Sequence, residues 1–191
     1  NLNLRVNAWW SMIAVFVASY LLGNTATVVL FAFVSLFALR EFITLTPTRL
    51  GDHNALFAAF FILIPLQYIF IGIHWYSMVT LLIPVYAFLF LPSIAVLSQE
   101  TDGFLERAAK IQWGVMITVY CISHAPALLI LDLNGFEGQN ALLLFYLMFV
   151  VQISDVLQYV FGKLFGKTKV APIVSPSKTV EGLVGGGLAA V

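Results

Sequence analysis

Long apolar segments separated by short polar connections constrain this chain more than any other feature. They cover residues 8–22, 26–39, 55–71, 75–91, 111–131 and 141–161, and a further one begins at Val180. A helix needs about 20 apolar residues to cross a bilayer, with ~17 as a lower limit. The middle segments meet or approach that length. The first two are short and separated only by Gly23-Asn24-Thr25, so they form two tilted spans or a hairpin that does not fully cross. Only 9% of the residues are charged and 61% are hydrophobic, against about 25% charged in a soluble domain. The bilayer is the better solvent for such a chain. The pattern predicts an all-α fold: a polytopic integral membrane helical bundle with six to seven spans. Residues 1–191 read as a single transmembrane domain, incomplete at its C-terminus and, because it begins at Asn1, at its N-terminus. The net charge of zero points away from nucleic acid as a partner. Cys121 is the one cysteine, so there is no internal disulfide and no Cys/His zinc pattern.

Charge then orients the segments. If every segment crosses, one side receives the N-terminus and residues 40–54, 92–110 and 162–179. The other receives 23–25, 72–74 and 132–140. All nine basic residues fall on the first side: Arg5, Arg40, Arg49, Arg107, Lys110, Lys163, Lys167, Lys169 and Lys178. Positive charge is retained in the cytoplasm during insertion. The connection after Asp155 is therefore expected to face the cytosol, which predicts a protein of a bacterial inner (cytoplasmic) membrane. An initial hairpin would give the same split.

Pro65, Pro84 and Pro126 fall inside apolar segments and predict kinks whose freed carbonyls neighbours satisfy. "FLERAAK" (104–110) sets Glu106 and Lys110 at i,i+4 and reads as a short helix along the membrane surface. His124, just before Pro126, reads as a donor to a freed carbonyl, with a ligand or acid–base role as the alternative. His53 and His74 sit at segment edges.

Asp155 is the one acid well inside a long apolar segment. An acid at mid-bilayer costs about 2.5–3.5 kcal/mol on insertion scales, so it is retained for a partner. Gln152, Asp155 and Tyr159 share a helix face and predict a polar stripe toward the bundle interior. Structural pairing of Asp155 with Lys163 or Lys167 is the alternative.

The stretch "GKLFGKTKVAPIVSPSKTVEGLVGG" follows. Its lysines serve both as retention charge and as attraction for anionic headgroups. "GKLFGKT" has three residues where a phosphate-binding P-loop needs four, and no strand precedes it, so that motif is excluded. Ser175, Ser177 and Thr179 supply hydroxyls immediately before a helix expected to start near Val180, and a helix N-terminus is a natural anion site. Gly182 and Gly186 form a GxxxG that permits close helix packing. A carboxylate that can hold a divalent cation, beside lysines that can hold phosphates, describes a site for a phosphorylated substrate at the membrane edge.

Over about 35 residues, "SDVLQYVFGKLFGKTKVAPIVSPSKTVEGLVGG" resembles the phosphatidate cytidylyltransferase (CDP-diacylglycerol synthase) family. "ALREFITL" (38–45) agrees more loosely. The resemblance implies an Mg²⁺-dependent nucleotidyltransferase of phospholipid biosynthesis, with room for a second, monovalent cation. A phosphate oxygen of phosphatidate, or of a similar lipid phosphate, would attack the α-phosphorus of CTP and give CDP-diacylglycerol and pyrophosphate. It implies that Asp155 belongs to the catalytic, metal-dependent centre and that Lys178 acts there too. Lys167, Ser175, Lys178 and Thr179 would contact nucleotide or lipid phosphate, Glu181 would orient the loop or a cation, and membrane lipids and a second copy in a homodimer would be partners. Ser177 stands where the family usually has a lysine. The family's C-terminal Lys-Arg…Lys-Asp and Asp-Arg-x-Asp segments, expected to hold the catalytic metal, lie beyond Val191, so this piece alone is expected to be inactive. Two other readings compete: a CTP-dependent polyprenol kinase, and a non-enzymatic ion-coupled transporter using Asp155 and His124.

Overall fold

The computed structural model describes residues 2–190 apart from 101, 136, 137 and 174. The side chains of 2–6, 8, 9 and 176 lie outside that description, and with them the expectation for Arg5. Seven helices follow one another: α1 (Leu2–Leu21), α2 (Asn24–Thr44), α3 (Leu50–Gly72), α4 (Tyr76–Val96), α5 (Phe104–Ile130), α6 (Asn140–Phe165) and α7 (Val180–Ala190). A hairpin of β1 (Lys169–Ala171) and β2 (Ser175–Thr179) stands between α6 and α7. Helices α2 to α6 are each long and apolar enough to cross a membrane, whereas the apolar part of α1 is only Trp10–Leu21. The fold is thus an all-α polytopic membrane protein, as the hydropathy predicts. The chain forms two compact units, Asn1–Ala141 and Leu142–Val191.

In the first unit α2 packs against α1, α3 and α5. Leu39, Ile71, Val115 and Val119, on α2, α3 and α5, are fully buried. Lipid tails are as apolar as leucine, so small residues and buried hydrogen bonds, not water exclusion, select which helices meet. Gly114 on α5 illustrates the first device: a Cβ there would come within 2.7 Å of the Phe42 ring on α2. The Ser35–Tyr68 hydroxyl contact at 2.6 Å, between α2 and α3, illustrates the second.

The prolines are managed by neighbours. Three π-helical turns, Ala59–Leu63, Leu82–Ala87 and Met116–Cys121, precede or contain Pro65, Pro84 and Pro126. Widening a turn is one way to re-pair the backbone that a proline disrupts. The Gln67 amide on α3 donates to the carbonyl of Val79 on α4, at 2.8 Å, and to Ser123 Oγ on α5 at 2.9 Å. Pro92 has no N–H to offer Phe88, four residues earlier, whose carbonyl takes the Gln112 amide of α5 at 2.7 Å. His124 also donates to a carbonyl, but it is that of Tyr120, at 2.8 Å, rather than one freed by Pro126.

Charge knits one end of this unit. Arg107 is buried, 7% exposed, and its Nε meets Asp52 Oδ1 at 3.1 Å, a charge contact without hydrogen-bond alignment. Its other nitrogens donate to Glu100 Oε2 and the Glu100 carbonyl, both at 2.9 Å. Asp52 Oδ2 accepts the Arg49 N–H at 2.9 Å. Arg49 pairs through its side chain with exposed Asp102 at 2.7 Å, which holds the Asp102 carboxyl below its usual range. The connections before α3 and after α4 therefore share one end, as the charge count requires. One expectation fails here. Residues 104–110 are not a separate surface helix but the first turns of α5, continuous with the span. Their polarity reflects the buried Arg107 network on one face and the Glu106–Lys110 pair, 2.6 Å apart, on another.

Candidate functional site

The motif residues all lie in the second unit, on α6, the hairpin and the start of α7. Glycines bring the two helices together. A Cβ at Gly182 would lie 2.8 Å from both Gln158 O and Gly162 Cα, and one at Gly186 would run into the Gln158 backbone. Gly162 and Gly166 form the complementary surface at the end of α6, against Thr179. Backbone-to-backbone contact of this kind has no room for a side chain. Gly186→Leu is expected to separate the helices, because the opposing atoms are backbone and cannot rotate away. A cysteine pair placed on exposed Val184 and Tyr159 would report the loss as a changed spin-label distance distribution.

The chain enters α7 through a network of polar contacts. Thr179 is buried, and its Oγ1 accepts the Gly182 N–H at 3.2 Å, as an N-cap. The Val180 N–H donates to the Thr168 carbonyl at 2.9 Å. The Glu181 carboxylate accepts the N–H of Lys167 at 3.0 Å and that of Thr168 at 3.1 Å. These donors, with its own N–H first, hold its carboxyl down at about 2. The helix start is therefore already engaged by protein groups at its first three residues, and the expectation of an open anion site at the N-terminus of α7 is corrected. The glycine at 166 and the carboxylate at 181 instead fix the backbone of the lysine-bearing loop.

A depressed carboxyl makes this clamp acid-sensitive. Its contribution is fully present above the ordinary value of 4.5 and is lost as pH falls through about 2. Protection of the Lys167 and Thr168 amides against hydrogen exchange should fall across that window, and Glu181→Gln should flatten the dependence.

The cations remain outside the clamp. Lys163, Lys167 and Lys178 are exposed, as is Ser177, and Ser175 is half-buried. The Lys163 ammonium lies 5.3 Å from the centre of the Tyr159 ring. β1 pairs antiparallel with β2, Lys169 opposite Thr179 and Ala171 opposite Ser175. The "SPSKT" stretch is thus the second strand of a hairpin, a feature that apolar periodicity does not reveal. It brings Lys169 and Lys178 onto one short ladder.

Asp155 is the main departure. It is exposed on α6, together with Gln152 and Tyr159, and makes no hydrogen bond or ion pair with a described residue. Neither Lys163 nor Lys167 pairs with the acid, so the structural pairing weighed for Asp155 is absent among the described residues. Asp155 does share the helix face of Gly162, seven residues on, which is the face that receives α7. A lone unpaired carboxylate in a span is a functional feature by default.

Comparison with known proteins places these features in a family. The model of the "Cytidylyltransferase family" matches residues 3–191. The chain is 36% identical over 183 residues to "Uncharacterized protein YnbB" of Escherichia coli (strain K12), covering 96% of this chain and 59% of that protein. It is 29% identical over 186 residues to the phosphatidate cytidylyltransferase of Staphylococcus haemolyticus, covering 96% of this chain and 67% of that enzyme. Over 50 residues it is 50% identical to the phosphatidate cytidylyltransferase of Staphylococcus saprophyticus, 26% of this chain and 18% of that enzyme. No solved structure matches. The chain spans 59% and 67% of the first two relatives. A match over nearly its whole length shows that the chain belongs to the cytidylyltransferase family.

Proposed function

We propose that the protein is a nucleotidyltransferase that moves a cytidylyl group from CTP to phosphatidate or a similar lipid phosphate. A phosphate oxygen of the lipid forms a bond to the α-phosphorus of CTP, the bond to the β-phosphate oxygen breaks, and pyrophosphate leaves. The observation that carries this reading is the family match over residues 3–191. The phosphatidate cytidylyltransferase name of the staphylococcal relatives supports the substrate.

The chain's own residues supply positioning and charge, which is most of what phosphoryl-type transfer needs. Lys167 and Lys178, with Ser175, hold phosphate oxygens. Glu181 positions them by clamping the backbone at Lys167 and Thr168. Thr179 caps α7 and sets the end of β2. Among the described residues no three His, Cys, Asp or Glu side chains gather into a metal site. Mg²⁺ is commonly held by one or two carboxylates plus substrate phosphates and water. Asp155 fits as one such ligand to a nucleotide-borne Mg²⁺, and not as a complete site. The ion, when bound, would neutralise charge on the phosphates. The basic connection lies on the cytosolic side of a cytoplasmic membrane, where CTP is.

The test uses the full-length protein in lipid with phosphatidate and Mg²⁺. Label from α-labelled CTP should enter lipid. Lys178→Ala should lower the yield and raise the KM for CTP by about tenfold, the loss of one charge-assisted contact. Label entering lipid from γ-labelled CTP alone would instead mean a lipid kinase.

A further inference from the structure

A second site lies in the first unit, apart from the motif residues. At the end of the bundle where the basic residues collect, α2 and α5 diverge. They touch closely deeper in, where Gly114 meets Phe42 and Leu39. Beyond that point they leave a cleft of about 590 Å³. One wall is Phe42, Leu45 and the Thr46-Pro47 exit of α2. The other is a single face of α5, carrying Glu106, Ala109, Lys110 and Trp113 at positions one and two turns apart.

The lining changes character with depth. Trp113 is nearest the Gly114 contact and 62% exposed, although an indole in water is unfavourable. Leu45 opposite is 78% exposed. Glu106 and Lys110 lie one to two turns further out, up to roughly 10 Å along the axis, and hold each other at 2.6 Å. An apolar floor, an aromatic ring at the level of the membrane interface and a charged rim match the depth profile of one phospholipid. The rim carries one charge of each sign side by side. Such a pair complements a headgroup that itself carries a phosphate and an ammonium. A purely anionic headgroup would meet Glu106 as well as Lys110.

We propose that this cleft binds one zwitterionic phospholipid with a primary ammonium headgroup. Its phosphate lies on Lys110, its ammonium donates to Glu106, and its upper acyl chain runs along Trp113 and Phe42. None of these residues belongs to the second unit, and the proposal does not rest on the transferase reading.

Native mass spectrometry of the full-length protein tests this, with dioleoyl phosphatidylethanolamine and dioleoyl phosphatidylglycerol supplied in equal amounts. One tightly retained ethanolamine lipid is expected, favoured up to about fivefold, the scale of one exposed charge contact. Glu106→Gln should remove that preference or reverse it. Ala109→Phe should abolish retention by filling the cleft, and because Ala109 is exposed the fold should tolerate it. In a variant of the full-length protein that keeps Trp113 as its single tryptophan, lipid brominated near the glycerol end should quench its fluorescence, and Ala109→Phe should relieve the quenching. Equal or greater retention of the glycerol lipid by the unaltered protein would overturn the proposal. So would retention unaffected by either substitution.

Discussion

Asp155→Asn in the full-length protein is expected to abolish label transfer from α-labelled CTP while leaving thermal stability unchanged or slightly raised. The structural half of this follows from exposure. Asp155 has no hydrogen bond or ion pair with a described residue, so the substitution breaks no contact. It also removes a charge that costs about 2.5–3.5 kcal/mol at mid-bilayer, and less near the helix end. The functional half follows from the same observation. An acid retained at a cost, with no structural partner among the described residues, is read as one retained for something that binds. Losing one preorganised charge from a phosphoryl-transfer centre lowers rates by about 10²–10³. Activity that survives the substitution would exclude Asp155 from the centre. Loss of activity together with loss of stability would make its role structural.

Arg107→Leu is expected to be the most destabilising single change in the first unit, by about 3–5 kcal/mol. Two acids depend on this guanidinium. Asp52 is 2% exposed at its side chain and lies 3.1 Å from it, and Glu100 is bound by both its side chain and its carbonyl. Removing the arginine leaves a carboxylate buried without a counter-charge. Gly51 beside it is packed against Ser98 and Glu100, so the connection cannot easily shift to let water in. Unfolding midpoints in a denaturing detergent would measure the loss. The double variant Arg107→Leu with Asp52→Leu should recover most of it, because the penalty belongs to the stranded charge. Arg49→Ala, whose ion pair with Asp102 is exposed on both sides, should change little.

Much of this was legible residue by residue. Hydropathy located α2 to α6 because the bilayer imposes a length on every span. The nine-to-none distribution of basic residues put the connections around Arg49 and Asp102 on one end, and the ion pairs there agree. "SPSKTVEG" placed the start of α7 at Val180, and the Thr179 cap shows why. The hairpin was not legible, because a strand of five residues in a lysine-rich connection has no apolar period to betray it. Pro92 was passed over, although its disruption of α4 is what engages Gln112.

The sequence by itself determined the class of fold and the family, since these depend on composition, spacing and local motif. Tertiary structure alone decided how polar groups are matched across helices. Glu181 spends its carboxylate on the loop fourteen residues back, Gln67 serves a carbonyl of the next helix, and Arg107 joins two connections far apart in the chain. Each partner is chosen by which group of another segment comes within about 3 Å of the side chain, and nothing in the local sequence encodes that distance.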